Sequence, residues 1–190
     1  MNLFFRMIRI IITAFAGRPA TMEAVHAVHF RVWPNDLDTN LHMNNGRYLT
    51  LMDLGRVDMM IRAGLARTIM REKWMPVIAG ISMIYRRSLS PFERYRLETR
   101  MLGWDDRWVY LEQTFIRANG DLAARGFVKA AFLKGGIRIS NAEIARISGH
   151  AGPAPHLPDA LKGLFPSTET LSSPPLASET LASETPASAD

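Results

Sequence analysis

One helical segment of this chain is apolar on more than one of its faces. It runs from Asn45 to Leu65, and its apolar residues include Tyr48, Leu49, Leu51, Met52, Leu54, Met59, Met60 and Ile61. A helix on a protein surface needs a single apolar stripe, whereas a helix that is apolar over more of its circumference must be covered by other structure. Gly55 near its middle lowers helix stability but lets a sheet approach closely. The sequence therefore predicts a long central helix wrapped by the rest of the fold.

The segments that would cover this helix have the pattern of β-strands. In Arg94–Met101, the residues Tyr95, Leu97, Thr99 and Met101 alternate with charged residues, as in a strand with one buried face. Further strands are predicted at Val25–Val32, Ile78–Leu89, Trp108–Ile116 and Leu122–Leu133, with turn residues before each of the last two. We therefore predict an α+β fold, in which a curved antiparallel sheet wraps around one long central helix.

Composition divides the chain into three parts. Residues 1–20 are a short basic amphipathic segment, residues 21–150 the compact domain, and residues 151–190 a disordered tail that begins near the Gly-Pro-Ala-Pro stretch at 152–155. From Pro166 onward the chain is rich in Pro, Ser, Thr and Ala, and the Leu-Ala-Ser-Glu-Thr sequence at Leu176 is repeated at Leu181. Such a segment cannot bury enough apolar surface to offset its ordering entropy.

The N-terminal segment leaves two interpretations open. Its longest uncharged apolar run, Ile10–Ala16, is far shorter than the roughly 20 residues that span a bilayer. Arg6 and Arg9 are three residues apart and share one helix face, with the apolar residues largely elsewhere. This pattern is typical of a short helix that either packs on the domain or lies on a membrane. We expect a cytoplasmic protein, with peripheral membrane contact through residues 2–15 as the second interpretation.

Charge and cysteine content exclude several classes of function. The absence of cysteine excludes disulfides, thiolate nucleophiles and cysteine-based zinc sites. The net charge of +5 becomes +9 for residues 1–165, because four carboxylates and no basic residue lie in the last 25 positions. A basic body suits a polyanionic ligand, although a solvated basic surface explains it equally well. We predict no nucleic-acid partner, since no basic run with interleaved aromatics occurs, and no metal site.

The residues most suited to chemistry lie immediately before the central helix. Asn44 or Asn45 is a good N-cap for that helix. Free N–H groups and the positive end of the helix dipole can stabilise negative charge that develops on a carbonyl oxygen. Two carboxylates, Asp36 and Asp38, lie just upstream. A carboxylate facing a helix N-terminus can attack a carbonyl carbon or position a water for attack.

At these residues the chain resembles a known family. Asp36-Leu-Asp-Thr-Asn-Leu-His-Met-Asn-Asn-Gly-Arg-Tyr48 is similar to the Asp-x-Asp-x-x-Gly-His-Val-Asn-Asn-x-x-Tyr signature of hotdog-fold thioesterases of the 4-hydroxybenzoyl-CoA thioesterase type. The branch that reads Leu-His-Met-Asn-Asn is described as acyl-CoA thioesterase-like, and the resemblance covers about Val25–Ile139. It implies the hotdog fold and hydrolysis of acyl-CoA thioesters. Coenzyme A then enters only as part of the substrate, and no cofactor is needed.

The resemblance also implies roles for single residues. The family's catalytic carboxylate falls on Asp38, as nucleophile or general base, and its oxyanion-binding backbone N–H falls near Asn45. In the family, coenzyme A lies across a subunit interface, where basic residues meet its phosphates, and Arg107 has a similar place. Asn44 and Tyr48 belong to the same motif, and we predict that they contact substrate. The assembly implied is a homodimer or a dimer of dimers.

Several alternatives remain open from the sequence. Asp38 could instead cap the turn, and His42 could act as an acid or be hydrogen-bonded and structural. Asp53 could be catalytic or could form an ion pair with Arg56 at i, i+3. Leu41 replaces the motif glycine, which puts the loop geometry in doubt. The alternative functions are a hotdog enoyl-CoA hydratase and a non-catalytic acyl-CoA-binding protein at the membrane.

Overall fold

The computed structural model describes residues 2–150, 152–153 and 155–165. Its helices are α1 (Leu3–Ala16), α2 (Asn45–Arg62), α3 (Leu65–Glu72), α4 (Asn141–Ile147) and α5 (Asp159–Gly163), with one 3-10 turn at Pro34–Asp36. Its strands are β1 (His26–Arg31), β2 (Met75–Tyr85), β3 (Arg94–Trp104), β4 (Val109–Arg117), β5 (Leu122–Lys134) and β6 (Ile137–Arg138). The strands predicted from alternation are therefore present, with shifted ends.

The strands form one antiparallel sheet in the order β1-β3-β4-β5-β2, with β6 paired to β5. Helix α2 packs against this sheet through fully buried Leu51, Met52 and Leu54. Gly55 is needed for this packing, because a Cβ atom there would lie 2.7 Å from Thr99 Oγ1 and 2.9 Å from Gln113 Nε2. The predicted α+β architecture, a curved sheet around a long helix, is confirmed.

Helix α1 packs on the domain along one face only. Ile10 and Ala14 are buried, and Arg9 donates a 2.8 Å hydrogen bond to the carbonyl of His29 on β1. The helix packs mainly on α2, and Arg9 links it to β1, an edge strand of the sheet. On its opposite face six large apolar side chains are exposed: Phe4, Phe5, Ile8, Ile11, Ile12 and Phe15. Within the described residues, every helix is too short or too polar to span a bilayer.

The packed part of the chain extends beyond residue 150, which corrects the predicted start of the disordered tail. Leu157 and Leu161 are buried together with Tyr110 of β4. Tyr110 faces away from the side of the sheet on which α2 packs, since its neighbour Leu111 belongs to the main core. Two leucines in a proline-rich stretch were too weak a signal to predict this contact. Residues 166–190, the rest of the predicted tail, lie outside the described residues.

Candidate active site

The segment between β1 and α2 folds into a compact loop. An isolated antiparallel bridge pairs Leu37 with Met43, and the N–H of Asp38 donates a 2.8 Å hydrogen bond to the carbonyl of His42. The N–H of Asn44 donates at 2.8 Å to the carbonyl of Asp36. These bonds bring both ends of the loop together, so Asp38 is held close to the first turn of α2.

The carboxylate of Asp38 combines a structural contact with a free oxygen. Its Oδ1 accepts hydrogen bonds from the N–H groups of Asn40, at 2.8 Å, and His42, at 3.1 Å. This is the turn-capping contact that the sequence left as an alternative. The other oxygen, Oδ2, accepts no hydrogen bond from any described residue, and the side chain is partly exposed. Capping therefore occupies one oxygen and leaves the second for a ligand or water.

Leu41, which replaces the motif glycine, keeps the backbone conformation that glycine favours. Its φ angle is +57°, in the left-handed region that non-glycine residues seldom adopt. Its side chain is 65% exposed, so most of it lies in solvent. A leucine is therefore held at this position in a conformation that glycine adopts more easily, at a local conformational cost.

This cost gives a stability prediction. Leu41→Gly should raise the free energy of unfolding by about 1 kcal/mol, because relief of the left-handed strain exceeds the added entropy of glycine in the unfolded chain. Urea unfolding of the two proteins measures the difference. Leu49→Gly, an exposed leucine on α2 with ordinary helical φ, is the control and should lower stability by about 1 kcal/mol. A lower stability for Leu41→Gly would contradict the interpretation.

The first turn of α2 presents a site for negative charge. Asn44 is the N-cap residue, and its side-chain oxygen accepts a 2.8 Å hydrogen bond from the N–H of Gly46. The N–H of Arg47 donates to the carbonyl of Asn44. No described residue accepts from the N–H of Asn45, and the first turn of the helix contains no acidic side chain. The unpaired N–H and the helix dipole therefore favour an anion or a developing oxyanion here.

Asp36 anchors this loop to the interior of the protein. Its carboxylate is buried, pairs with Arg6 of α1 at 2.5 Å and accepts a 2.9 Å hydrogen bond from the N–H of Trp33. Arg47 on α2 lies 3.6 Å away. Sequence reasoning missed Arg6 as part of this site because it placed Arg6 on a basic helix face. The sequence nevertheless indicated that Arg6 is buried, because Arg6, Ile10 and Ala14 are four residues apart and share one helix face.

A family model described as the thioesterase-like superfamily matches residues 32–165, which include this loop and the central helix. The chain belongs to this superfamily. Curated relatives agree: the chain is 32% identical over 162 residues to Protein THEM6 of Drosophila melanogaster, covering 82% of this chain and 81% of the relative. Protein THEM6 of Xenopus laevis is 38% identical over 99 residues, 52% of this chain and 48% of that protein. The chain thus spans about half the length of the Xenopus relative.

Solved structures share the fold of this thioesterase-like chain. The 1,4-dihydroxy-2-naphthoyl-CoA thioesterase from Synechocystis superimposes with a TM-score of 0.59, covering 68% of this chain and 100% of that one, at 10% identity. An identity this low supports the fold alone. The hotdog fold predicted from the motif is confirmed.

The remaining predicted residues of this superfamily member lie in different surroundings. The ring of His42 is exposed and bonds to no described residue, so it is not held as a structural histidine. Tyr48 is 2% exposed and packs against Tyr85 and Phe115 at centroid distances of 5.2 and 4.8 Å. Burial raises the pKa of Tyr48 to about 12. Tyr48 therefore supports α2 from inside the core, and its predicted contact with substrate gains no support from this position.

Arg107 lies far from the loop within one chain. It belongs to the turn after β3, whereas the loop follows β1, which pairs with the first residues of β3. The strand has 11 residues, so the two ends are separated by about 30 Å. The guanidinium of Arg107 stacks over the ring of Trp108 at 5.9 Å. A single chain does not bring Arg107 to Asp38.

Asp53 is exposed and forms the predicted ion pair with Arg56 on α2. Arg56 is buried, and this burial lowers its pKa although Asp53 opposes the shift. Its guanidinium also donates a 2.7 Å hydrogen bond to Gln113 of β4. Both Asp53 and Arg56 border an apolar cavity of about 170 Å³, which includes Met59, Met60, Ile78 and Leu111 in its walls. The cavity lies between α2 and the sheet.

Proposed function

We propose that this chain hydrolyses acyl-CoA thioesters to the free acid and coenzyme A. The observation that carries the proposal is the juxtaposition, in one short loop, of a carboxylate with a free oxygen and a helix N-terminus with a free N–H. Membership of the thioesterase-like superfamily supports the same reaction.

In the proposed mechanism, Asp38 Oδ2 attacks the thioester carbonyl or accepts a proton from an attacking water. Negative charge then develops on the carbonyl oxygen, and the N–H of Asn45 and the α2 dipole stabilise it. The C–S bond breaks as this charge returns to the carbonyl, and coenzyme A leaves. If Asp38 is the nucleophile, a mixed anhydride then remains on Oδ2, and a water hydrolyses it to the free acid and restores the carboxylate. His42, whose ring is exposed beside Asp38, is proposed as the acid that protonates the departing sulfur.

The complete site is proposed to form between two copies of this chain. Strand β2 is the open edge of the sheet: it has no charged residue, and Met75, Ile78, Ile84 and Tyr85 are exposed. An uncovered apolar edge strand favours pairing with a second strand. Antiparallel pairing about a two-fold axis sets the Met75 end of one β2 beside the Tyr85 end of the other. The hydroxyl of Tyr85 lies 3.4 Å from the carbonyl of Asn45.

The proposed dimer would bring Arg107 and the apolar cavity of one subunit close to the Asp38 loop of the other. Both lie at the Met75 end of β2, since Val109 and Ile78 pair with the same residue of β5, Ala130. In a two-fold dimer that end approaches the partner's loop. We therefore propose that Arg107 of one subunit meets coenzyme A phosphates at the other subunit's site, and that the cavity receives the acyl group.

The dimer is tested by charges on the edge strand. Ile78→Lys/Ile84→Lys should convert the protein to a monomer in analytical ultracentrifugation, because charged side chains on an exposed apolar edge strand oppose its pairing with a second strand. Ile137→Lys is the matched control, since Ile137 is exposed on β6 and not on β2. A double variant that sediments like the wild type would exclude pairing through β2.

The reaction is tested with the full chain and a panel of acyl-CoAs of different chain length, aliphatic and aromatic. Thiol release measured with a thiol reagent should rise linearly with enzyme concentration on at least one substrate. Loss of enoyl absorbance from an enoyl-CoA without thiol release would instead indicate a hydratase. Tight acyl-CoA binding without turnover on the whole panel would indicate a binding protein. Either result contradicts the proposal.

We also propose peripheral membrane contact through residues 2–15. The six exposed apolar side chains of α1 form one stripe, while the opposite face of the helix packs on the domain. A large exposed apolar stripe on a helix is typical of a surface that docks on a membrane or another protein.

A further inference from the structure

A strongly cationic cleft lies between α1 and the neighbouring ends of β1, β3 and β4. It has a volume of about 600 Å³, and none of its lining residues is acidic. Its walls include Arg9, His29, Arg31, Arg94, Arg96 and Arg117. None of these residues belongs to the loop that carries Asp38. A cleft lined by one sign of charge concentrates oppositely charged ligands.

Three of these arginines, Arg9, Arg31 and Arg94, form no ion pair with any described residue. Arg96 pairs with Glu98 at 2.6 Å and Arg117 with Glu93 at 2.5 Å. Arg31 and Arg94 stand directly opposite each other in the β1–β3 register. Like charges at directly opposed positions destabilise a sheet. An anion bound between them would remove this repulsion, so the pair itself points to an anionic ligand.

The cleft adjoins the apolar stripe of α1. Arg9 lines the cleft, hydrogen-bonds to β1 and lies over the ring of Phe30 at 5.7 Å. On a helical wheel Arg9 borders the stripe next to Phe5 and Ile12. The stripe runs along a 14-residue helix, about 21 Å long. Cations beside an apolar stripe form the pattern that fits an anionic membrane surface, with apolar side chains below the headgroups and arginines at their level.

We infer that this arginine cleft binds the phosphate headgroups of acidic phospholipids while the stripe of α1 inserts into the membrane surface. The inference rests on the proposed membrane contact of residues 2–15 and adds a lipid specificity to it. A soluble phosphate compound would neutralise the arginines but would leave the six apolar side chains of α1 exposed to water. The combination of charge and apolar surface therefore favours the lipid as the source of the phosphate.

The test is vesicle binding by the full chain, with pure phosphatidylcholine vesicles and vesicles that also contain phosphatidylglycerol. Wild type should partition more strongly onto the acidic vesicles. Arg31→Gln/Arg94→Gln should lower that partitioning about 25-fold, about fivefold for each arginine. The matched control is Arg67→Gln/Arg71→Gln, which removes two exposed charges from α3, outside the cleft, and should change it less than about twofold. Binding of both double variants to pure phosphatidylcholine should equal that of wild type.

Every other outcome overturns the inference in an identifiable way. Equal binding to both kinds of vesicle would support membrane contact through α1 but exclude a headgroup site in the cleft. No binding to either would remove both. Equal losses in the two double variants would indicate diffuse charge attraction. Saturable binding of inorganic phosphate to the cleft without a preference for acidic vesicles would assign it to soluble phosphates. A raised KM for acyl-CoA in Arg31→Gln/Arg94→Gln without vesicles would assign it to substrate. Thiol release by wild type in vesicle-free buffer tests the hydrolytic function separately.

Discussion

Asp38→Asn is expected to lower kcat for acyl-CoA hydrolysis by about 10²- to 10⁴-fold. The amide that replaces the carboxylate can neither attack the carbonyl as an anion nor accept a proton from water at neutral pH. The loop should survive the change, because the amide oxygen can still accept the hydrogen bonds that Oδ1 accepts from the N–H groups of Asn40 and His42. Steady-state thiol release measures kcat and KM, and thermal unfolding verifies that the variant remains folded.

Asp53→Asn is the matched control for this prediction. Asp53 is an exposed carboxylate at the mouth of the apolar cavity, and its partner Arg56 keeps a second hydrogen bond to Gln113. We expect this variant to retain kcat within about tenfold of wild type, since an ion pair with an exposed carboxylate contributes little energy. The reverse result, with Asp38→Asn active and Asp53→Asn inactive, would move the catalytic carboxylate to the central helix and contradict the mechanism.

The central helix and its sheet could be predicted from the sequence because their signals are local. Alternating residues in Arg94–Met101 and the broad apolar surface of Asn45–Leu65 are visible within a few turns of chain. Gly55 likewise predicted a close approach of helix and sheet, which Thr99 and Gln113 now make. Such patterns depend only on which face of each element is buried.

Contacts between distant segments could not be predicted in this way. Leu157 and Leu161 pack on the outer face of the sheet, yet a proline-rich stretch with two leucines has the composition of a linker. The backbone conformation of Leu41 could not be predicted for a different reason. The missing glycine suggested a changed loop, whereas surrounding hydrogen bonds hold a leucine at positive φ. The predicted roles of Asp38 and Asn45 came from the family motif, because composition and spacing alone do not distinguish these two from the other polar residues of the loop.

The largest effect on stability is expected at Arg6, which also forms a contact between segments distant in sequence. Arg6 and Asp36 are 30 residues apart in sequence, and their ion pair joins α1 to the base of the loop that carries Asp38. Arg6→Met should lower the free energy of unfolding by about 3–5 kcal/mol, because it leaves the buried Asp36 carboxylate without its close cation. Urea unfolding followed by circular dichroism measures this loss.

The control for Arg6→Met is Arg9→Met on the same helix, where an exposed arginine bonds to one backbone carbonyl and the loss should be about 1 kcal/mol or less. Arg6→Met/Asp36→Asn should recover part of the stability lost in Arg6→Met, because the second change removes the uncompensated charge. An additive double variant would show that the two side chains do not interact. A loss below about 1 kcal/mol for Arg6→Met would mean that α1 is not tied to the loop through this pair, and the position of Asp38 would then depend on the loop's own hydrogen bonds.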